Sequence, residues 1–442
     1  MDKLKIAVIG TGISGLSAAW LLSARHHVTV YESADRLGGH SNTVTVSLEG
    51  KSVPIDTGFI VFNRHTYPNL TALFAHLGVD VEDSDMSFGI SLDGGSTEYH
   101  CGGFGGVFAQ KRNLLRPRHW RMVRDIMRFQ REAPADMARL AGKPVALGDY
   151  LREAGYSRSF QEDHLLPMAS AIWSTSHADT LAYPAHALVR FFQNHGLLTT
   201  KKGVLWETVS GGSRNYVTCL ARALSGNIRL ECPATAIRRR GNSVIVTDAT
   251  GTAETYDHVV LASHADQSLA MLSDADVQER SLLGVFRYSR NLAVLHSDTS
   301  FMPKNPRVWS SWNFVGQRQA PQEGVAITYW MNRLQKLGIK TPIFVTLNPE
   351  RAPRHGTLLH SEIYHHPVFD TATAMVQKDL WSLQGHRNTW FCGAYFGAGF
   401  HEDGLQAGLA VAEQLGAVRR PWNVENESGR IHLSPRAHAV VA

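Results

Sequence analysis

The chain has 442 residues, a net charge of +5, 43% hydrophobic and 19% charged residues, and no low-complexity tract or repeat. That length exceeds what one core usually supports, so an ordinary globular protein of two domains is expected. The mild positive balance does not by itself imply nucleic acid, and no apolar run approaches the ~18 residues that span a bilayer. Cys101, Cys219, Cys232 and Cys392 are scattered, and the 22 histidines show no His-Glu-x-x-His spacing. Reduced thiols and no metal site are expected. The first strand signal begins at residue 5, which leaves no room for a cleavable signal peptide, so the expected location is cytoplasmic.

Lys5-Ile6-Ala7-Val8-Ile9 reads as a buried parallel strand. Gly10-Thr11-Gly12-Ile13-Ser14-Gly15 follows at once, then a helical run to Leu22 and a second strand, Val28-Thr29-Val30-Tyr31, ending in Glu32 and Ser33. This order is a dinucleotide fingerprint. Gly10 permits the tight turn, Gly12 lets a pyrophosphate approach the backbone, and Gly15 lets helix and sheet pack closely. The helix start at Ile13 and Ser14 offers free N–H groups to the phosphates. Glu32 lies 22 positions after Gly10, where a carboxylate can accept hydrogen bonds from a ribose and repel a 2′-phosphate. Arg36 and the pair Gly38-Gly39, followed by His40, can wrap the far side of the pyrophosphate.

A strand over residues 53–62 leads through Asp56 and Gly58 to Phe59 and Ile60, and a helix over 67–77 closes on Gly78. Residues 86–100 alternate and read as two strands joined at Asp93-Gly94-Gly95. Gly102 to Gly106 reads as a flexible connection. Residues 111–131 interleave eight basic residues with apolar ones. Trp120, Val123 and Met127 have helical spacing, with Ile126 extending that face. A basic amphipathic helix of this kind either packs one face on the core or makes peripheral contact with an anionic membrane. Nucleic acid is not expected, because no stacking-aromatic ladder accompanies the charge.

Residues 148–198 have a helical pattern. Gly211-Gly212-Ser213 precedes a helix to Leu224, and strands follow at 228–231, 236–240, 243–247 and 257–263, with a hairpin at Gly241-Asn242. Strand signals recur at 292–296, 325–330 and 343–347 beside Trp309, Trp312, Phe314, Tyr329 and Trp330, a grouping that suits an apolar substrate or a core. In Tyr364-His365-His366-Pro367, adjacent side chains on an extended segment point opposite ways, so at most one histidine faces a site. Finally, a strand at 389–392 runs into Gly393, a glycine loop at 397–404 and a helix through Ala412.

The glycine fingerprint, the Arg36–His40 extension, Asp56-Thr57-Gly58 and the last strand–loop–helix together resemble the amine oxidase and phytoene desaturase superfamily. That resemblance implies an α/β protein of the amine oxidase fold, with a Rossmann-like FAD-binding domain of the GR2 type and an inserted α+β substrate domain. It places the FAD domain at 1–66, 205–280 and 385–420, the substrate domain at 67–204 and 281–384, and a polar, poorly ordered tail at 421–442. FAD is the implied cofactor. Backbone near Ala234, Ala262 and Ser263 would flank the adenine, Gly393 the pyrophosphate, and the helix start at Asp403, Gly404 and Leu405 the flavin pyrimidine edge. His401, Glu402 and His366 are candidates for acid–base work near the ring, with bracing of the last helix as the other reading of His401.

Two features depart from the amine oxidase form. Gly393-Ala394-Tyr395 stands where those enzymes have Gly-Thr-Glu, and neither Lys336 nor Lys340 is singled out as an active-site lysine. The phrases Gly399–Gly404 and Tyr364–Asp370 are similar to a bacterial flavoprotein group that accompanies cyclopropane-fatty-acid-synthase-like methyltransferases. This implies hydride transfer to or from an unsaturated or modified fatty acyl chain, by desaturation or double-bond isomerisation, with a lipid methyltransferase as partner. The alternatives are oxidation of an amine or carotenoid-like substrate, and a flavin-holding partner protein without turnover.

Overall fold

The computed structural model describes residues 3–140, 145–198, 204–318, 326–416 and 418–433. Lys5–Ile9 is the middle of a five-stranded sheet in the order Asn227–Arg229, His27–Tyr31, Lys5–Ile9, His258–Leu261, Thr389–Phe391. Every pairing in it is parallel. The run Ile6–Ile9 is buried throughout, as an unbroken apolar strand covered on both faces must be. Helix Ile13–Ser23 packs against the last helix, His401–Gly416, at close range. A Cβ on Gly408 would sit 2.2 Å from the Ser14 carbonyl oxygen. The small residue is what lets the two backbones meet.

A seven-stranded sheet forms the second layer, in the order Leu358–Val368, Arg287–His296, Phe344–Leu347, Ile327–Trp330, Trp312–Gly316, Phe88–Leu92, Thr97–His100. Only the pairing of Trp312–Gly316 with Phe88–Leu92 is parallel among these. The two-residue hairpin at Gly241-Asn242 is present, with Arg240 opposite Ser243. Val325 and its neighbours 319–324 lie outside the described residues, so the strand read from 325 is seen from Ile327.

Three readings change. Gly103–Val107 is a short helix rather than a flexible connection, its last turn bonding Phe108 N to the Phe104 carbonyl at 3.0 Å. The basic segment divides into a 3₁₀ turn, Lys111–Leu115, and a 23-residue helix, Pro117–Arg139. That helix buries His119, Met122, Phe129, Ala133 and Met137, while Trp120 and Met127 are 45% and 63% exposed. The buried stripe is set by residues beyond 131 and by Phe129 meeting Phe160 and Phe192, so the face read from the sequence splits: Trp120 and Met127 point outward, while Val123 and Ile126 are partly buried against the core. Residues 421–433 are not a loose tail. Trp422 stacks on Trp20 at 6.0 Å, and Arg430 pairs with buried Asp403 at 2.6 Å. These contacts bury a ring and close a charge pair, which a polar composition does not reveal. Residues 434–442 lie outside the described residues.

Candidate functional site

The C-terminal ends of the parallel strands converge, which is where this class of sheet binds ligands. Gly10, at φ 103°, turns the chain out of the first strand against Ala262, which leaves the neighbouring strand and bonds Ile9 through its amide at 2.9 Å. A Cβ on Gly15 would lie 2.0 Å from the Gly10 carbonyl oxygen. A Cβ on Gly12, by contrast, meets nothing within 4 Å, so the space above it is open. Helix Ile13–Ser23 starts there with no side-chain cap, and its first amides face that space unsatisfied. The Ser14 Oγ lies against the start of the last helix, 2.8 Å from where a Cβ on Gly404 would sit, so the missing side chain at Gly404 is what leaves room for it.

Glu32 is held at the end of the second strand by the amides of Thr11 (3.0 Å) and Ala34 (2.9 Å). The Thr11 and Ser33 hydroxyls donate to its remaining lone pairs. Two fixed backbone donors and two hydroxyls that can rotate away leave room for a diol. The amides of Glu231 and Cys232 bond the carbonyls of Ala34 and Glu32, so the chain leading into Ala234 runs beside this carboxylate. Ser263 and Ser268 share a hydroxyl–hydroxyl hydrogen bond across the start of helix Ala265–Met271, so the Ser263 hydroxyl is engaged. Arg36 folds back onto the Gly39 carbonyl at 2.8 Å.

Gly38 and Gly39, at φ 107° and 56°, bring the loop to within 3.2 Å of Gly12 Cα, measured from a Cβ placed on Gly39. His40 follows. Its carbonyl accepts from the Phe59 amide at 2.8 Å, and a Cβ on Gly58 would clash with that same carbonyl. The His40 ring lies 5.1 Å from Tyr364, 5.3 Å from His366 and 6.4 Å from His264, and its buried Nε2 has no partner among the described residues. Tyr364 and His366 share one face of their strand, as a two-residue period requires. Burial holds the His40 ring well below the usual histidine range, and His366 and His264 add to it. Burial likewise brings His264 and His366 down to about 4. His366 bonds Asn291 Nδ2 through Nδ1 at 3.2 Å. These rings are neutral at pH 7.

The other two proposed acid–base groups are placed differently. His401 stacks on Phe59 at 3.8 Å, and its Nε2 meets Ser41 Oγ at 2.9 Å and Tyr216 Oη at 2.8 Å. Burial lowers it to about 3. It is a brace between the last helix and the Gly39–Phe59 loops, not a histidine poised near neutrality. Glu402 is fully buried and accepts from the amides of Asn69 (3.1 Å) and Leu70 (3.0 Å), from Asn69 Nδ2 and from Gln406 Nε2. It caps helix Pro68–Leu77, which has no side-chain cap of its own. Its carboxylate is engaged by these four donors, a structural role. The last helix begins at His401, one turn earlier than read, and Gly404 already donates to the Phe400 carbonyl at 3.1 Å. Its unsatisfied amides are therefore those of residues 401–403, and Leu405 is buried inside the helix pair. Asp403 gives its carboxylate to Arg430 and to the Phe400 amide.

Gly393 leaves the fifth strand in extended conformation, with Tyr395 Cε1 2.5 Å from a Cβ placed on it. Ile60 accepts from Thr208 Oγ1 at 2.7 Å through its carbonyl and faces the second core. Ser41, Tyr216, Thr11, His264 and Tyr364 were missed in the sequence. Only Tyr364 carried a signal there, being two positions from His366. Beside the glycine loop at 397–399, Phe400 joins Trp173, Phe191, His195 and Tyr183 in a largely buried aromatic cluster. Phe400 stacks on Phe191 at 4.8 Å, and Trp173 lies 4.6 Å from Tyr183.

An open cradle over Gly12, an uncapped helix start, a diol-ready carboxylate and an unpartnered imidazole nitrogen fit a dinucleotide laid along the strand ends. Fold and cradle together define a flavoprotein of the FAD-binding oxidoreductase class. The chain belongs to the flavin containing amine oxidoreductases, whose family description matches residues 13–302, and FAD is its cofactor. It is 28% identical over 254 residues to the candidate flavin-containing monoamine oxidase AofH of Mycobacterium tuberculosis (strain H37Rv), covering 56% of this chain and 54% of that protein. The chain thus spans about half the length of that relative. A candidate protoporphyrinogen oxidase from Exiguobacterium sp. 255-15 shares the fold at a TM-score of 0.70 and 17% identity, covering 94% of this chain and 99% of that one. The CLA-producing fatty acid isomerase from P. acnes does so at 0.64 and 16%, covering 92% and 97%. Among the described residues, no helix is long and apolar enough to cross a membrane.

Proposed function

We propose that this protein is an oxidoreductase acting on an uncharged, hydrophobic chain, most specifically an unsaturated or modified fatty acyl group. FAD supplies a two-electron hydride acceptor and donor when bound. The observation that carries the reading is the aromatic cluster at Phe400, which adjoins the last FAD-facing segment and, among the described residues, has no free carboxylate beside it. Asp403 is tied to Arg430, and Glu402 is taken up capping helix Pro68–Leu77. Lys336 and Lys340 are both exposed, so neither offers the buried ammonium of an amine-handling site. The name of the P. acnes fold neighbour, a fatty acid isomerase, supports the same substrate class.

On this reading, each part of the chain has a task. The first turn of helix Ile13–Ser23 and the loop at Gly38–His40 hold the pyrophosphate. The amides of residues 401–403 face developing negative charge at the pyrimidine edge. His401 fixes the angle of Phe59 against that helix, and the neutral His40–His366–Tyr364 wall keeps water out while offering a nitrogen that can accept a hydrogen bond.

An aromatic box can also hold an alkylammonium through its ring faces, and the likeness to AofH favours an amine as the second reading. The two are separated by anaerobic titration of the yellow protein with fatty acyl lipids and with amines. Flavin bleaching or a shifted double bond in the recovered acyl chain supports the proposal. Bleaching by amines alone overturns it. A flavin that no substrate reduces, with acyl chains unchanged, leaves a flavin-holding partner of a lipid methyltransferase. Lipid mass spectrometry of cells with and without the gene tests the same point in vivo.

A further inference from the structure

We propose that residues 104–131 form a membrane-docking face that seats the protein on an anionic lipid bilayer. The proposal does not depend on which substrate the site turns over. Five large apolar side chains are exposed here: Phe104 at 68%, Leu114 at 42%, Leu115 at 88%, Trp120 at 45% and Met127 at 63%. Phe104, Leu114, Leu115 and Trp120 are neighbours in space, and Met127 lies two turns further along the helix. Phe104 packs on Phe108 at 4.6 Å, Phe108 on Trp120 at 4.8 Å, and Trp120 Nε1 donates to the Leu114 carbonyl at 2.9 Å. That bond fixes the indole beside the protruding Leu114–Leu115 turn. An isolated exposed leucine means little, but a contiguous group of this kind marks an interaction surface.

The charge around it selects the partner. Between residues 104 and 131 there are eight basic side chains and one acidic one, Asp125, which is buried. Four of the arginines are used inside the protein. Arg112 and Arg116 bind carbonyls of Gly95 and Ser96, Arg118 pairs with Glu162 and Asp163, and Arg128 reaches Glu132 and the Ala154 carbonyl. Lys111 and Arg121 are exposed, and neither forms an ion pair among the described residues. Arg124 and Arg131 are 70% and 73% exposed, and among the described residues each forms an ion pair only with its sequence neighbour, Asp125 or Glu132.

Along the helix, Trp120, Arg124, Met127 and Arg131 fall at i, i+4, i+7 and i+11, on one outward stripe opposite Met122, Phe129 and Ala133. Apolar tips alternating with long cationic side chains match a headgroup layer. The leucines and the indole enter the acyl boundary while arginine stems lie along it and their heads stay with phosphate. The same helix rests through Phe129 on Phe192, next to Phe191 of the aromatic cluster, so the face lies one helix layer from the site.

Holoprotein is co-sedimented with vesicles of phosphatidylcholine alone and of phosphatidylcholine with phosphatidylglycerol. Binding is expected to the anionic vesicles only and to weaken with salt. Because each basic residue contributes a modest, screened attraction near such a surface, Lys111→Glu with Arg121→Glu should lower affinity at least about tenfold. Phe104→Ser with Leu115→Ser should do the same with melting temperature lowered by no more than a few degrees, since both side chains are largely exposed and only Phe104 rests on a buried ring, Phe108. Absence of binding to either vesicle, or equal binding by the variants, overturns the proposal. So does gel filtration showing a dimer that the Phe104→Ser/Leu115→Ser variant converts to monomer, which would make the face a self-association surface.

Discussion

Glu402 separates a structural reading from a chemical one. Its carboxylate accepts two backbone amides of helix Pro68–Leu77 and two side-chain amides, and it has no solvent exposure. Asn69 Nδ2 keeps a bond to the Glu427 carbonyl if Glu402 is lost, at 2.9 Å, but the amides of Asn69 and Leu70 have no substitute. A buried amide left without an acceptor costs about 1–3 kcal/mol, so Glu402→Ala should destabilise by about 4 kcal/mol. Glu402→Gln fares better. With its oxygen toward Asn69 and Gln406, only Leu70 faces a donor, for about 2 kcal/mol. Set against an unfolding entropy of about 2.1 cal/mol/K per residue over the whole chain, about 4 kcal/mol lowers Tm by about 4 °C. The assay is thermal melting of holoprotein together with turnover per bound flavin. The expected result is a graded fall in Tm, with turnover per flavin within about twofold of wild type. An unchanged Tm with turnover down more than about tenfold would refute this reasoning and return Glu402 to the reacting centre.

Gly408→Ala should force the last helix away from Ser14. Overpacking of this kind costs about 1–3 kcal/mol, and the flavin-to-protein ratio after purification should fall, whereas Ala410→Gly should leave it nearly unchanged. Arg430→Ala leaves buried Asp403 without its charge partner, a loss of about 3–5 kcal/mol in urea melts, and truncation after Arg420 should cost at least as much because it also removes the Trp422 ring from Trp20. Were the truncated chain as stable as the full one, residues 421–433 would be the loose tail their composition suggests. Acid should destabilise the protein in a defined window. His264 and His366 sit at about 4 and His401 at about 3, whereas an unfolded histidine titrates near 6.5. The unfolded chain therefore binds more protons below about pH 6.5, and stability falls with pH until it flattens near the folded values. Asp56, raised to about 6 by burial, opposes this between about pH 6 and 4 without cancelling three rings. Urea midpoints at descending pH should show the decline, shallower in His366→Asn. A rise in stability from pH 6.5 to 5 would contradict it.

The aromatic cluster and the brace at His401 show how residues far apart acquire one role. His401 meets Ser41 and Tyr216 because three chain segments return to the same strand ends, and no local pattern links those positions. The buried stripe of helix Pro117–Arg139 was ambiguous for the same reason. A helical period gives the spacing of a face, but its partners choose which face is covered. Glu402 looked catalytic because an acid beside a histidine in a glycine-rich loop is chemically suggestive, and its two amide partners lie on a helix that begins at residue 68.

What the chain announced by itself was local. An apolar strand, a glycine turn and an acid at fixed spacing specify a phosphate-ready turn, because backbone sterics act over a few residues and leave a legible pattern. The two-residue hairpin at Gly241-Asn242 and the αL close of the helix at Gly78 were legible on the same ground. The three-dimensional packing alone decided which carboxylates and imidazoles remain available. Burial and hydrogen-bond partners are set by contacts between distant segments, and these turned Glu402 into a cap, His401 into a brace and Asp403 into half of an ion pair, while leaving the His40 nitrogen without a partner at the cradle's edge.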